Sequence, residues 1–174
     1  MAKFLLKGLL LVLTILPILA IAESVDLFKK RIVHLCPEIN GRLMDGDKPL
    51  GGITIERGIA YGQAYESTTT TDPDGYFSMP SHEYETRKPL NPLDEKRVIT
   101  YLIANIDGEE IKIWHSVLYS LDPIEKVADS LSTLHCDMNS PMKIYSLKYG
   151  ESNAIKSDVL SMCNLDNLTY KGLY

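Results

Sequence analysis

Much of what enzymes use is missing from this chain. No two histidines stand at H-x-x-x-H spacing, no G-x-S-x-G elbow occurs, and no glycine-rich loop of the phosphate-binding kind is present. These absences exclude a helix-borne zinc site, an α/β-hydrolase serine and a nucleotide cradle. The histidines His34, His82, His115 and His135 read as surface or locally bonded residues. No basic run with interleaved aromatics occurs, and 18 Lys and Arg face 23 Asp and Glu. Nucleic acid is thereby excluded as the expected partner. Low-complexity tracts and internal repeats are absent as well. Phenylalanine is scarce, three against ten tyrosines, which suits strands with one face in water.

The one long apolar run is too short to span a bilayer. Gly8 to Ala22 carries no charge for fifteen residues, whereas a spanning helix needs about 20. Lys3 and Lys7 precede it, and Ala20 and Ala22 form an Ala-Ile-Ala site before Glu23. This is the pattern of a secretory signal peptide over residues 1–22, cut between Ala22 and Glu23. Pro17 ends the helical part and leaves the cut extended. Glu23, not cysteine, follows the cut, so no lipid anchor is expected. Removing 22 of 174 residues leaves 152, enough for one domain with its own core. The expected organisation is a single domain over residues 23–174. It has a core module at about 36–149 and a C-terminal extension at 150–174. No stable membrane insertion is expected after cleavage.

Cysteine is also sparse: Cys36, Cys136 and Cys163. Their spacing matches no compact zinc pattern. In an oxidising compartment two should pair and one remain. Cys136–Cys163 closes the shorter loop, and both lie outside the main strand set. Cys36 with Cys136 is the alternative.

What is present reads as strands and corners. Residues 24–35 admit a helix or a strand. Ile39, Gly41 and Leu43 alternate with polar neighbours, and Asp45 to Pro49 is a turn. Residues 51–59 form the next strand, with Ile53, Ile55 and Arg57 on one face. A threonine-rich strand at 65–71 belongs at an edge. Asp72-Pro73-Asp74-Gly75 is the clearest turn: proline presets φ, the aspartates bond local amides, and glycine takes the left-handed corner. Tyr76 to Met79 returns as a strand. Residues 81–95 read as an exposed loop. Val98 to Ala104 is nearly all apolar and suits a strand buried on both faces. Asp107-Gly108 signals a type I′ hairpin into residues 111–119, where Trp114 and His115 should point to opposite faces. Asp122 at the N-cap, Pro123 at the first position and Glu125 predict a helix to about Ser132. Residues 143–149 and 159–163 read as further strands.

The stretches Gly41-Arg42-Leu43, Asp47 to Ile55 and Thr70 to Pro80 together resemble carboxypeptidase regulatory-like, transthyretin-like β-sandwich modules. The resemblance implies a mainly β, Ig-like or transthyretin-like antiparallel sandwich with one short helix near 123–132. Gly41, Gly51, Asp72, Asp74, Gly75 and Phe77 would be its structural turn residues. More narrowly, Leu35-Cys36-Pro37-Glu38, Arg97-Val98-Ile99, Trp114 and Leu134-His135-Cys136-Asp137-Met138 are similar to the bacterial DUF6795 domain. That likeness implies one domain with no established activity, in the periplasm of a Gram-negative cell. The sequon Asn167-Leu168-Thr169 would then carry no glycan. Tyr170-Lys171-Gly172 is similar to the tail of a transthyretin-like hydroxyisourate hydrolase, but Lys171 and Leu173 depart from that tail.

The functional expectation is a secreted, periplasmic, non-catalytic binding or interaction domain. Its partner is expected to be a protein, with no cofactor and no metal. Asp72 with Asp74 could offer carboxylates to calcium, but a late bidentate glutamate is missing, so the pair reads as a turn; Asp45 and Asp47 could add a second pair only if both turns meet at one end of the sandwich. The charged stretch Ser81–Arg97 is the expected contact surface. The alternatives are an immunity or inhibitor protein against a periplasmic toxin, and a small-molecule hydrolase of transthyretin-like fold.

Overall fold

The computed structural model describes residues 30–87 and 95–174. The expected signal peptide, its expected cut between Ala22 and Glu23, and the middle of the Ser81–Arg97 stretch lie outside the described residues. The chain forms two compact units, Met1–Ile32 with Tyr84–Asp94, and Val33–Glu83 with Glu95–Tyr174. In the first, the Lys30 ammonium pairs with Glu85 at 2.6 Å. Strands β1 (Arg31–Cys36) and β7 (His82–Thr86) form a two-stranded ribbon.

The second unit is a β-sandwich. One sheet joins β2 (Ile39–Asp45), β3 (Lys48–Pro49), β6 (Tyr76–Met79), β10 (Leu134–Asp137) and β13 (Cys163–Asn164). The other has seven strands in the order β14-β11-β12-β9-β8-β4-β5. These are β4 (Thr54–Tyr61), β5 (Gln63–Thr70), β8 (Val98–Ile106), β9 (Glu109–Leu118), β11 (Lys143–Tyr149), β12 (Ile155–Ser161) and β14 (Thr169–Leu173). β12 lies between β9 and β11. The threonine-rich β5 is an edge strand, as its polar face requires. The core holds Ile39, Leu43, Ile55, Leu102, Trp114 and Leu147, all almost fully buried. Burying each such side chain contributes about 1.5–3 kcal/mol.

The motif turn is built as its residues demand. Asp72 Oδ1 accepts the amides of Asp74 and Tyr76 at 2.9 and 2.8 Å, and Gly75 N donates to Asp72 O at 2.9 Å. Gly75 sits at φ +81°, and a Cβ there would stand 2.5 Å from Leu43 O. Its own carbonyl accepts Leu43 N at 2.9 Å, so the turn docks directly on β2. Gly41 has no room for a Cβ either, because one would stand 2.5 Å from Phe77 Cζ and 3.1 Å from Leu134 Cβ. Gly51 lies against the backbone of Asp72 and Pro73.

Several expectations need correction. β8 is not buried on both faces: Val98, Thr100, Leu102 and Ala104 are buried, while the residues between them are only half-buried. Its outer face meets solvent, as in a two-layer antiparallel fold. In β9 the alternation slips. Leu102 pairs with Trp114 but Ile103 with Lys112, so Ile113 is an extra, bulged residue, buried beside Trp114. Its carbonyl accepts Ser161 Oγ at 2.8 Å and Met162 N at 3.2 Å. Trp114 and half-buried His115 keep opposite faces.

The helix α1 spans Glu125–Ser132, and Asp122 does not cap it. Ile124 stands at the N-cap with no side-chain bond. The reason is upstream: Leu121 is buried and its carbonyl accepts His34 N at 3.1 Å, which holds the approach extended. Ser120 Oγ, not Asp122, serves the local turn by accepting Asp122 N at 3.1 Å. Residues 82–86 are strand, not loop, since His82, Tyr84 and Thr86 alternate half-buried with exposed Glu83 and Glu85. The last strands also differ from the expected 159–163. β12 starts at Ile155, β13 follows, and Thr169–Leu173 adds β14 on the outside of β11.

The disulfide is Cys136–Cys163, across directly opposed residues of β10 and β13, and Cys36 is a buried free thiol. Two outcomes follow for urea unfolding. The Gly75→Ala variant should lose about 1–3 kcal/mol from the strained corner and the clash with Leu43 O. Replacing both bridge cysteines with serine should cost about 3–4 kcal/mol for a loop of this length. A bridge-free variant with an unchanged midpoint would contradict the second.

Candidate functional site

The motif residues come together without making a reactive site. Gly41, Asp72 and Phe77 line one groove of about 540 Å³ with Arg42 and Tyr76. The Arg42 guanidinium lies 4.8 Å over the Tyr76 ring, and its Nε donates to Asp74 O at 2.9 Å. Asp72's bonded oxygen therefore faces amides of its own turn. Asp45 Oδ1 accepts Asn139 Nδ2 at 2.8 Å, across from the turn it was expected to serve. Asp137 ties that turn to the end of β10 by accepting Gly46 N and Asn139 N, both at 3.0 Å. These backbone donors hold its carboxyl below the usual carboxylate range. Among the described residues no group of three His, Cys, Asp or Glu is placed to hold a metal ion.

The histidines are dispersed. His34 Nδ1 lies 2.8 Å from Glu83 Oε1. His82 tilts against Tyr65 at 4.6 Å, and burial followed by the Arg57 charge lowers its pKa. Burial and then Lys112 lower that of His115. His135 is exposed on β10. In the hydrolase-like tail, Tyr170 and Lys171 lie on the exposed edge strand β14, where Lys171 Nζ grips both carboxylate oxygens of Asp158 at 2.8 Å.

A more enclosed site lies where the end of β1 faces α1. It is a cavity of about 360 Å³. Its buried lining is apolar: Leu35, Cys36, Val98, Leu118 and Val127, with half-buried Ile124 beside them. The exposed lining is polar and acidic: Glu38, Glu83 and Asp122, joined by Ser81. β1 supplies the floor because its period-two pattern turns Val33 and Leu35 inward while His34 reaches Glu83. α1 supplies the wall through Val127 and Ala128, in its first turn. Asn167 clamps the far side of α1. Its Oδ1 accepts Ser130 Oγ at 2.7 Å and its Nδ2 donates to Lys126 O at 2.9 Å.

Beside Cys36 stands a buried cation. Arg57 is 3 % exposed, on the face shared with Ile55. Nε donates to Ser67 Oγ at 3.0 Å and Nη1 to Pro80 O at 2.6 Å. Burial pushes the neighbouring Cys36 thiol up to about 11, with Arg57 pulling the other way. Burial wins, so Cys36 is a neutral thiol at physiological pH.

Sequence reasoning marked Ser81 to Arg97 as the contact region, and Ser81 and Glu83 do stand on the rim. It missed the other half, the Leu35-Cys36-Pro37-Glu38 segment and the face of α1. The readable signal was Leu35 and Cys36 ending a strand next to half-buried Pro37 and exposed Glu38. The β-sandwich fits a transthyretin-like module. The chain belongs to the family described as Domain of unknown function (DUF6795), whose match runs over residues 39–141. No curated protein and no solved structure matches the chain. The match contains Cys136 but ends before Cys163, so the bridge ties the matched region to the strands after it.

The thiol gives a pH test. A folded pKa raised from 9.0 to about 11 means the folded state holds its proton longer than the unfolded chain. The contribution to stability is complete below pH 9 and is lost as pH rises towards 11. Cys36→Ala should flatten that alkaline loss. Native Cys36 should resist iodoacetamide at pH 8 and react once urea is added; fast native labelling would refute the buried neutral thiol.

Proposed function

We propose that this chain is a secreted, periplasmic binding domain that meets a protein partner and performs no catalysis of its own. The observation that carries the reading is the end cavity, an apolar floor beneath an exposed polar rim. Such a concave site with a few convergent polar groups is the usual form of a binding site. The sandwich supports it with rigid strands, and the loops at its end present the rim. The disulfide fits an oxidising compartment. Among the described residues no helix is long and apolar enough to cross a membrane. The contact surface is therefore moved from the whole Ser81–Arg97 stretch to its Ser81–Glu83 end, the Pro37-Glu38 step and the start of α1. Inhibition of a periplasmic toxin is a narrower form of the same reading, since such an inhibitor also works by surface complementarity.

Cross-linking mass spectrometry on the secreted chain in its native compartment tests the reading. Cross-links from the partner should map to the cavity rim. Ala128→Trp, which fills the cavity from α1, should remove at least about nine-tenths of the captured partner while the thermal melt stays within a few degrees. Capture unchanged by this variant would contradict the proposal, and a toxin among the partners would select the narrower form.

A further inference from the structure

We propose that the partner occupies this cavity with a basic segment that inserts one large apolar side chain, flanked by lysine or arginine. The inference rests on the binding reading above and adds the chemistry of what binds.

Charge complementarity is the argument. The cavity lining includes three carboxylates, Glu38, Glu83 and Asp122, and no lysine or arginine. All three acids are exposed, whereas Leu35, Val98, Leu118 and Val127 are buried. Negative charge therefore rings the mouth and is absent from the floor. The described ion pairs that use lysine or arginine fall elsewhere, at Lys30–Glu85, Arg97–Glu95 and Lys171–Asp158. Glu38 accepts the Asn40 side-chain amide at 3.1 Å, and Glu83 meets His34 at 2.8 Å. Among the described residues no lysine or arginine pairs with these three carboxylates.

The arrangement selects an orientation. An occupant must place an apolar group deep and positive charge at the mouth. A lysine entering tip first would carry its ammonium onto the apolar floor and lose its hydration without a partner. An acidic or phosphorylated segment would bring like charge against three carboxylates. At about 360 Å³ the cavity exceeds one leucine or phenyl side chain, which leaves room for an aromatic anchor and part of its neighbours' stems. The whole chain adds a net charge of −5, of the sign that speeds encounter with a basic partner.

The test uses the full secreted chain, 15N-labelled, with four probes: the acetylated pentapeptides KKFKK, KKSKK and EEFEE, and 2-phenylethylammonium. KKFKK should shift the amides of Leu35, Val98 and Val127 saturably, and KKSKK and EEFEE should not. Raising salt from 50 to 300 mM should weaken KKFKK binding about tenfold, because the rim charges are exposed to screening. The Glu83→Gln, Asp122→Asn double variant should weaken it about tenfold with an unchanged melt. Ala128→Trp should abolish it. Equal binding of EEFEE would overturn the charge assignment and leave the cavity as a binding site. Binding of the amine without any peptide would overturn the protein source in favour of a small organic cation. Silence from all four probes would overturn both this inference and the binding reading on which it rests.

Discussion

The fold depends on pairing β2 along both of its edges. On one side it takes β6, with Gly41 opposite Phe77, and then β3, with Met44 opposite Pro49. On the other side it takes β10 in parallel, Leu134 opposite Gly41 and Asp137 opposite Met44. A parallel partner cannot come from a tight hairpin and must return by a long connection. Here β10 arrives about ninety residues later, carrying α1 with it, and α1 then packs against β2. Gly41 is the point of convergence, because only a residue without Cβ lets Phe77 and Leu134 close over it. The Cys136–Cys163 bridge fastens β10 from its far side. The same long return places α1 opposite the end of β1 and so makes the cavity.

Local chemistry was legible wherever it acts locally. Gly46, Gly75, Asp107 and Gly108 all take positive φ at the corners that their residue types announced. Threonines at 68–70 read as an edge, and they are on one. Arg57 fell on the inward face by simple alternation with Ile55 and was buried in fact, although an arginine at that place argues for the opposite. Neutral oxygens at Ser67 and Pro80 make that burial tolerable.

What escaped the sequence is non-local. Leu134-His135-Cys136-Asp137 is four residues long, too short for a period to show, and becomes a strand only because β2 is there to pair with it. Cys163-Asn164 is a two-residue strand for the same reason. The bulge at Ile113 depends on Ser161, 48 residues away, to receive its carbonyl. Asp122 had the right residue type for a cap, yet the hydrogen bond from His34 to Leu121 holds its segment extended. The candidate site shares this origin. Its rim residue Glu83 was inside the stretch singled out, whereas Leu35, Val98 and Val127 are brought together by the fold alone.

The central claim is that this end of the sandwich, and not a sheet edge, meets the partner. Exposed tyrosine and leucine on β14 and polar β5 are the alternative surfaces. Hydrogen–deuterium exchange of the chain, with and without a captured partner, separates them directly. The account predicts added protection at residues 34–38, 81–83 and 120–128, with β5 and β14 unchanged. Protection concentrated on β5 or β14, with the cavity rim exchanging as in the free chain, would contradict it.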